Sequence, residues 1–296
     1  MEYCLKSALN SGQLKLGLPM WFMEDWRGNM LSDWQTSKTA LQEYSRVFAS
    51  VEGNSTFYGL PSAPRVDHWL TMVPDNFRFC FKLPKDVSHS ANLVEAYGKY
   101  RSQIVAFFNQ LGDRLGTLLV QLPATFSPLR QPELSELLLL LQQDVFADIS
   151  VELRHLQFFD KSESESKLLR SLAEVGAGRT VFDSRGLFAD SAMTEAVLDA
   201  RAKKPRMPVH PVATSKAPLV RFIGHSDWSQ NDHYLLQWKQ KLGQWLEEGR
   251  TPYFFIHTAG NTDVQHFVRY LEALWKLDGQ VWPGEGGPGK TEDMFD

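Results

Sequence analysis

A carboxylate and an amide stand in the apolar stretch "VEGNSTFY" at residues 51–58, where Glu52 and Asn54 follow the strand-like run "RVFASV". A buried carboxylate without a partner is costly, so it normally finds a cation or loses its charge. We therefore expect the rest of the chain to supply a partner for Glu52. Placed in this way, Glu52 is the first candidate for a catalytic role.

Further charged and polar residues stand near the ends of other β-like runs. Side chains alternate between the two faces of a strand, and in each run one face is fully apolar while the other is mixed. The mixed face near the strand ends predicts one inward set: Trp21, Glu52, Asn54, Lys82, Gln121, Glu152, Arg154, Asp183, Arg221, His225 and His257. The set contains three acids and three bases, so its formal charges cancel, and Glu52 is expected to be paired.

Such a set admits several kinds of chemistry. Lys82 could form a Schiff base, although nearby acids favour the charged form, which is a poor nucleophile. Glu52 and Glu152 could act as the carboxylate pair of a glycosidase. An ion-pair network that only fills the interior is a further interpretation, because a buried ion pair alone is weak evidence of function.

Carboxylates and imidazoles near the strand ends could also bind a divalent metal. No local motif such as H-E-x-x-H occurs, and the cations Lys82, Arg154 and Arg221 on the same rim would repel a metal ion. The same cations suit a carboxylate or phosphate, which arginine binds in a bidentate manner. We therefore predict no metal, no cofactor, and a small anionic ligand.

Eight β-rich apolar runs bounded by Gly, Pro or polar residues must position these side chains. They lie at 15–21, 47–54, 77–84, 116–123, 148–155, 179–184, 218–225 and 252–259. Helical patterns lie between them, and one, "NDHYLLQWKQKLGQWLEEG", is expected to stop at Gly249. Eight alternating units predict a single-domain (β/α)8 TIM barrel, whose C-terminal mouth would hold the site. A doubly wound open sheet is the alternative.

Composition limits the remaining possibilities. The chain has 296 residues, 43% of them hydrophobic, and its two cysteines exclude a disulfide framework and fit a reducing, cytoplasmic compartment. The longest apolar run, at 137–141, is far too short for a membrane span, so we expect no membrane partner. We divide the chain into an N-terminal extension (1–14), the barrel (15–277) and a flexible Gly/Pro-rich C-terminal tail (278–296).

A basic connection precedes the seventh run. The net charge of −4 argues against general polyanion binding, but five cations stand close together between 200 and 218, namely Arg201, Lys203, Lys204, Arg206 and Lys216. Long loops of this kind are often functional. The alternative function is therefore nucleic-acid binding, with the 201–206 loop on phosphates and the mouth aromatics Trp21, Phe57 and Tyr58 meeting the bases.

Four motifs occur in order along the chain: "VEGNSTFY", "WLTMVPDNFRFCFKLPKDVSH", "LVQLP" and "ELRH". On these motifs the chain resembles the YecE-like family, also called domain of unknown function 72, from Leu16 to Leu277. The resemblance implies a TIM barrel but no established reaction. The family fold looks similar to that of endonuclease IV and xylose isomerase relatives, which points to phosphate or sugar ligands by analogy alone.

The positions that match the family pattern are Glu52, Asn54, Thr56, Phe57, Tyr58, Trp69, Lys82, His89, Gln121, Glu152, Arg154 and His155. The chain departs from many relatives at "IHTAGN", so the resemblance does not extend to His257 or Asn261. The predicted catalytic residues are Glu52, Lys82 and Glu152. The predicted binding residues are Asn54, Tyr58, His89, Gln121, Arg154, His155, Asp183, Arg221 and His257.

We combine these observations into one hypothesis: a metal-independent enzyme that acts on a small phosphorylated or carboxylated ligand. In it, Glu52 or Glu152 is the general base, while Lys82 or Arg154 holds the anion. The sequence leaves open whether the protein is an enzyme and which reaction it would catalyse.

Overall fold

Nine parallel strands form the centre of the protein, which a computed structural model describes at residues 5–11, 13–277 and 281–286. They are β1 (Lys15–Leu18), β2 (Ser50–Gly53), β3 (Arg78–Lys82), β4 (Leu115–Gln121), β5 (Asp148–Glu152), β6 (Gly178–Arg179), β7 (Val181–Asp183), β8 (Leu219–Ile223) and β9 (Tyr253–His257). The spatial order is β6–β5–β4–β3–β2–β1–β9–β8–β7. Strand β1 therefore lies between β2 and β9.

The two edge strands of this sheet, β6 and β7, together form a single strand position of the barrel. Thr180 alone separates β6, which pairs with β5, from β7, which pairs with β8. The backbone N–H of Thr180 donates to the carbonyl oxygen of Val151 at 2.9 Å and continues the ladder on β5. This segment joins both edges and leaves a nearly closed barrel with eight strand positions. The predicted single-domain (β/α)8 TIM barrel is confirmed, with its sixth strand split in two.

The described residues contain eleven α-helices, most of which lie between strands and cover the barrel. They are α1 (Leu5–Asn10), α2 (Ala40–Val47), α3 (Ala63–Met72), α4 (Lys85–Ser88), α5 (Leu93–Leu111), α6 (Gln131–Asp144), α7 (Glu163–Glu174), α8 (Arg185–Ala189), α9 (Glu195–Lys203), α10 (Asp232–Glu247) and α11 (Val264–Trp275). Short 3-10 turns occupy Glu24–Trp26, Ser55–Phe57, Gly112–Arg114, Pro128–Arg130, Leu156–Phe158, Trp228–Asn231 and Pro283–Gly286.

Helix boundaries follow the local sequence. The Asn92 side chain accepts a hydrogen bond from the N–H of Glu95 at 3.1 Å and caps the start of α5. Helix α5 ends at Leu111, and Gly112 follows it with a φ of 51°, a positive value that glycine tolerates. Gly249, with a φ of 75°, stands just past α10, where the sequence predicted the helix to stop.

Aromatic side chains of β3 fill the space between the barrel and its helices. Phe79 and Phe81 stack with ring centroids 5.4 Å apart, and Trp69 of α3 lies 6.2 and 5.7 Å from them. Their neighbours Cys80 and Lys82 occupy the opposite face of the strand and are also buried. The alternation predicted for this strand is therefore confirmed.

Small polar side chains form a layer inside the barrel. Ser50 Oγ donates to the carbonyl oxygen of Arg78 at 2.8 Å, and Ser150 Oγ lies 2.7 Å from Thr180 Oγ1. Two residues further along their strands, toward the C-terminal ends, stand Glu52 and Glu152. The charged side chains of the mouth thus lie above a layer in which Ser50, Ser150 and Thr180 are hydrogen-bonded.

Described residues near both ends of the chain also pack into this core. Leu5 and Ala8 of α1 are buried, and so is Trp282, over which the guanidinium of Arg269 lies 3.6 Å from the ring centroid. Residues 1–4 and 12 of the predicted extension, and 278–280 and 287–296 of the predicted tail, lie outside the described residues. In the part of the chain that is described, no helix combines the length and hydropathy required to cross a bilayer.

Gly17 of β1 lies where the barrel is tightly packed. A Cβ atom at this position would lie 2.3 Å from the carbonyl oxygen of Ser50 and 2.9 Å from a ring carbon of Phe255. We expect Gly17→Ala to lower the free energy of unfolding by about 2–3 kcal/mol, because the backbone of β2 cannot move aside without breaking its ladder.

Urea denaturation of Gly17→Ala and Gly98→Ala provides the matched comparison. Gly98 lies on α5 and is exposed, and a Cβ atom added there would meet no other atom within 4 Å. Alanine at this position should raise the free energy of unfolding by about 0.5–1 kcal/mol, because glycine is unfavourable within a helix. Equal stability of the two variants would contradict the packing described for β1.

Candidate functional site

A single arginine joins two carboxylates across the barrel. Arg221 of β8 donates to Glu52 of β2 through Nε and Nη2, at 2.7 and 2.8 Å. Its third nitrogen, Nη1, donates to Oε2 of Glu152 on β5 at 2.5 Å. Both glutamates are fully buried and Arg221 is nearly so. The predicted partner of Glu52 is therefore Arg221, which Glu52 shares with Glu152.

Glu52, Arg221 and Glu152 form a triad, and their mutual contacts determine the charge that each side chain carries. Burial acts to raise the pKa of both carboxyl groups, but it is outweighed by Arg221 together with Lys82 and, for Glu52 and Glu152 respectively, His257 and Arg154. The pKa of Glu52 lies well below its ordinary value, and that of Glu152 falls to about 2. The two carboxylates raise the pKa of Arg221 despite its burial. All three groups are thus charged at neutral pH, and both glutamates are weak bases.

Arg154 and Lys82 complete the charged floor of the mouth. Arg154 binds Oε1 of Glu152 through Nε at 2.7 Å and Nη2 at 2.6 Å, and it is partly exposed. Lys82 Nζ lies 3.9 Å from Glu52 Oε1 and 5.6 Å from the ring centroid of Phe57. Burial, followed by the charge of Arg221, lowers the pKa of Lys82 to about 8. The sequence had led us to expect that the nearby glutamates would raise the pKa of Lys82, but their effect is smaller than the lowering by burial and Arg221.

Lys204 is a mouth residue that sequence reasoning assigned to a surface loop. Its N–H caps α9 by donating to the carbonyl oxygen of Ala200 at 2.8 Å, and its side chain lines the mouth. Burial and the charge of Arg221 lower the pKa of Lys204 to about 8. One sequence feature could have indicated this position: Lys204 lies between the last turn of a helix and Pro205, where the chain turns back toward the barrel.

A cavity of about 300 Å³ opens above the triad. Its lining residues are Asn54, Phe57, Tyr58, Lys82, Gln121, Arg154, Phe182, Lys203, Lys204 and Arg221. Five of them are cationic and none is acidic. Lys203 is neutralised by Asp199 at 2.6 Å, so the other four cations exceed the two buried glutamates by two charges.

Two polar acceptors at the mouth have no partner within the described residues. Gln121 is buried, and its Oε1 accepts no hydrogen bond. Asn54 donates from Nδ2 to the carbonyl oxygen of Pro19 at 2.9 Å, and no hydrogen bond reaches its Oδ1. Both acceptors border the cavity, so a ligand with a hydroxyl or amino donor can satisfy them.

Asp183 does not belong to this site, and the prediction that it faces the mouth is wrong. Its carboxylate accepts from Trp238 Nε1 of α10 at 2.7 Å and forms an ion pair with Arg185 at 2.8 Å, on the helix side of β7. Phe182 takes the inward position instead, and Arg221 lies 5.1 Å from its ring centroid. The sixth strand position is thus reversed relative to the expectation.

The three histidines predicted as binding residues occupy different positions, and His225, also predicted to face the mouth, does not line the cavity. His257 is buried beside the triad, with Nε2 3.6 Å from Glu52 Oε2, and burial lowers its pKa to about 3. His89 is exposed at the rim, 5.2 Å from Phe57, and partial burial of its ring together with Arg154 lowers its pKa. His155 accepts from the N–H of Gln157 and does not line the cavity.

Tyr58 lies at the outer rim of the mouth. Its side chain is 75% exposed, its ring meets that of Phe57 edge-on at 5.3 Å, and Lys85 Nζ lies 5.5 Å from it. Tyr58 can therefore contact a ligand that protrudes from the cavity, but not one confined to the floor.

The segment 201–206, predicted as a loop, begins as the last turn of α9, and it does not present a continuous positive face. Arg201 donates to the carbonyl oxygen of Leu187 at 3.1 Å, Lys203 pairs with Asp199, and Lys204 lines the mouth. Arg206 lies 5.6 Å from the ring centroid of Phe188. Among the residues that the structure describes, no group of three or more His, Cys, Asp and Glu side chains has a geometry that could hold a metal ion.

Comparisons with known proteins give a family and a fold. The family model described as "Protein of unknown function DUF72" matches residues 15–290. The "UPF0759 protein YecE" of Escherichia coli K12 is 39% identical over 261 residues, which cover 88% of this chain and 91% of that protein.

Two solved structures share the barrel. A DUF72 family protein of Enterococcus faecalis has a TM-score of 0.67 and 18% identity, covering 91% of this chain and 98% of its own. A DUF72 family protein of Thermotoga maritima has a TM-score of 0.60 and 20% identity, covering 88% and 99%. At these identities the likeness concerns the fold alone.

Replacing Arg221 tests the triad. We expect Arg221→Met to lower the free energy of unfolding at pH 7 by about 3–5 kcal/mol, because two buried carboxylates lose their cation. Burial then raises the carboxyl pKa values, so Glu52 and Glu152 become protonated as the pH falls. The deficit relative to the native chain should therefore narrow between pH 7 and pH 5.

Urea denaturation at both pH values measures this effect. The native chain should show the opposite trend at lower pH, because its lowered carboxyl pKa values stabilise it above the unfolded value of about 4.5, and this stabilisation is lost as the pH falls toward 2. A triple variant, Glu52→Gln, Glu152→Gln and Arg221→Met, removes the uncompensated charges and should recover much of the loss. Native-like stability of Arg221→Met at pH 7 would rule the triad out as a structural centre.

Proposed function

The chain belongs to the DUF72 family, and we propose that its barrel mouth binds a small organic anion, a phosphate ester or a carboxylate, in a metal-independent reaction. One observation carries the proposal: Lys82 and Lys204 line the same recessed cavity, and no described acceptor lies within hydrogen-bond distance of either Nζ. Lys82 is buried and Lys204 is partly buried, and an ammonium group that is withdrawn from water is unfavourable without an acceptor. An anion in the cavity supplies that acceptor.

The charge distribution supports an anion rather than a neutral ligand. Arg154 reaches the cavity from the rim with a guanidinium that can bind phosphate or carboxylate in a bidentate way. The excess positive charge is confined to this recess, whereas the whole chain carries −4. Such a contrast draws a small anion into the mouth and discourages a long polyanion from lying along the surface.

Each member of the mouth has a distinct proposed role. Arg154, Lys204 and the protonated form of Lys82 hold the anion, and Oε1 of Gln121 accepts from a hydroxyl or amino group of the ligand. Lys82, with a pKa of about 8, exchanges a proton near neutral pH and is the proposed catalytic residue.

Glu52 and Glu152 act as positioning residues in this scheme. Their lowered pKa values make them poor general bases, and their oxygens are occupied by Arg221 and Arg154. They instead fix the direction of both guanidinium groups and place a negative charge 3.9 Å from Lys82. The general base therefore moves from these glutamates, where the sequence placed it, to Lys82.

The cluster of cations that favoured nucleic-acid binding in the sequence is largely engaged in other contacts. The sequence offered a cluster of cations at 201–206, but Arg201, Lys203 and Lys204 are engaged with Leu187, Asp199 and the mouth respectively. Phosphate-backbone binding requires several free cations along a surface. We therefore keep the small-anion proposal alone.

Isothermal titration with inorganic phosphate tests the site. We expect Lys82→Ala and Lys204→Ala each to weaken binding by about tenfold or more, because each removes one charge-assisted contact. Lys99→Ala, on the exposed face of α5, serves as the matched control and should leave the affinity unchanged.

Two results would overturn the proposal. Phosphate and a small dicarboxylate such as malonate could both fail to bind the native chain, or both lysine variants could bind them as the native chain does. A single-stranded oligonucleotide at low salt is the comparison ligand. Tight binding of it that disappears in the combined variant Arg201→Ala, Lys203→Ala, Arg206→Ala would restore the nucleic-acid alternative.

The pH dependence of binding has a defined sign. Lys82 and Lys204 lose their charge as the pH rises through about 8, so affinity for an anion should fall above that value. Sulfate is the suitable probe, because its own charge is constant from pH 7 to about 9.5. We expect its dissociation constant to increase by more than about tenfold over this range, with proton uptake on binding near pH 8.

In the ligand-free protein, the same two lysines should make the free energy of unfolding increase as the pH rises. The unfolded lysines keep a pKa of 10.5, so the unfolded chain binds more protons than the folded one between about pH 8 and 10.5. Their contribution to the free energy of unfolding therefore rises with pH in this window. In Lys82→Met this rise should be smaller, which separates the effect from other titrating groups.

A further inference from the structure

A second, larger cavity adjoins the mouth. It encloses about 930 Å³ between the loop that follows β1 and the segment that joins β2 to α3. Its apolar lining includes Met20, Trp21, Phe22, Leu60, Pro64 and Trp69. We call this cavity the aromatic cleft. Its volume lies in the range of ligand sites, whereas the mouth is at the lower end of that range.

The aromatic cleft is rigid on one side and open on the other. Trp69 is anchored in the core by stacking on Phe81, and Trp21 meets Trp69 edge-on with ring centroids 5.2 Å apart. Trp21 and Phe22 remain partly exposed, and Arg27 lies 5.4 Å from the ring centroid of Phe22. Exposed indole and phenyl surface of this kind favours a planar apolar group that can stack or pack edge-on.

The two cavities meet at one loop. Residues 54–60 separate them: Phe57 and Tyr58 line the mouth, Ser55 and Gly59 line the aromatic cleft, and Asn54 lines both. The Asn54 side chain is held by Pro19, which leaves Oδ1 as an acceptor without a partner at the junction. A ligand that extends from one cavity to the other passes this acceptor.

We propose that the ligand of this protein is an aromatic organic anion, whose charged end lies among Lys82, Lys204 and Arg154 and whose ring lies in the aromatic cleft. This inference rests on the proposed function, because it takes the anion site of the mouth as its starting point. The mouth accommodates a charged group and a few further atoms. The remainder of a larger ligand must leave it, and the aromatic cleft lies next to it across Asn54.

A series of three ligands tests the inference on the native chain: inorganic phosphate, 1-naphthyl phosphate and neutral 1-naphthol. We expect naphthyl phosphate to bind at least about tenfold more tightly than phosphate, because the ring buries apolar surface against the two tryptophans. It should also bind at least about tenfold more tightly than naphthol, because only the phosphate ester reaches the lysines.

Substitutions in the loop after β1 locate the ring. In Trp21→Ala the advantage of naphthyl phosphate over phosphate should fall below about threefold, while the affinity for phosphate itself stays as in the native chain. Trp21→Phe should retain most of the advantage, since it keeps an aromatic face. Trp34→Ala is the matched control, because Trp34 lies on the same loop, is 70% exposed and does not line the aromatic cleft.

The outcomes separate this inference from the proposed function. Phosphate binding without any gain for naphthyl phosphate would overturn the inference and leave the anion site standing. Equal loss of both ligands in Trp21→Ala would overturn it as well, since the substitution would then act on the mouth. Naphthol binding as tightly as naphthyl phosphate would show an apolar site unconnected to the lysines. Failure of phosphate and naphthyl phosphate alike would remove both proposals.

Discussion

The ion-paired triad of Glu52, Arg221 and Glu152 is the constraint on which the mouth depends. Two carboxylates taken out of water are tolerable only while a guanidinium supplies their hydrogen bonds, and Arg221 reaches them from β8 across the barrel. Side chains alternate along a strand, so a one-residue slip in β2, β5 or β8 would turn one member outward. The triad therefore requires three strands that are not neighbours in the sheet to keep their register together.

The triad also sets the properties of the groups above it. Arg221 neutralises the glutamates, but its own charge still adds to burial in lowering the pKa of both Lys82 and Lys204. The glutamates hold Arg221 in its charged form, so this effect persists at every pH at which the protein is folded. Burial, the larger cause, and the charge of Arg221 together lower the pKa of both lysines to about 8, against the opposing effect of the glutamates.

The sequence predicted most of the barrel and the centre of the site, because both follow from alternation along the strands. Glu52, Lys82, Glu152 and Arg221 each lie opposite an apolar face, and each was predicted to point inward. The prediction for Asp183 was wrong because its partner, Trp238, lies 55 residues later on α10. Alternation along a strand does not show which face of the strand a distant helix will pack against. Lys204 was missed for a related reason: the path of the chain after α9 depends on packing rather than on local sequence.

An ion-pair network that only fills the barrel differs from a ligand-binding site in the charges that it requires. All four carboxylate oxygens of Glu52 and Glu152 already accept a guanidinium hydrogen bond from Arg221 or Arg154. A network that served only to fill the barrel would be complete at this point, and apolar residues of similar volume above it would be more stabilising. Lys82 and Lys204 are in excess of that requirement: Lys82 is buried, Lys204 is partly buried, and neither has an acceptor within hydrogen-bond distance among the described residues. Under our proposal an anion in the mouth supplies the missing acceptor, which makes the lysines, rather than the triad, the feature that argues for a binding site over structural packing.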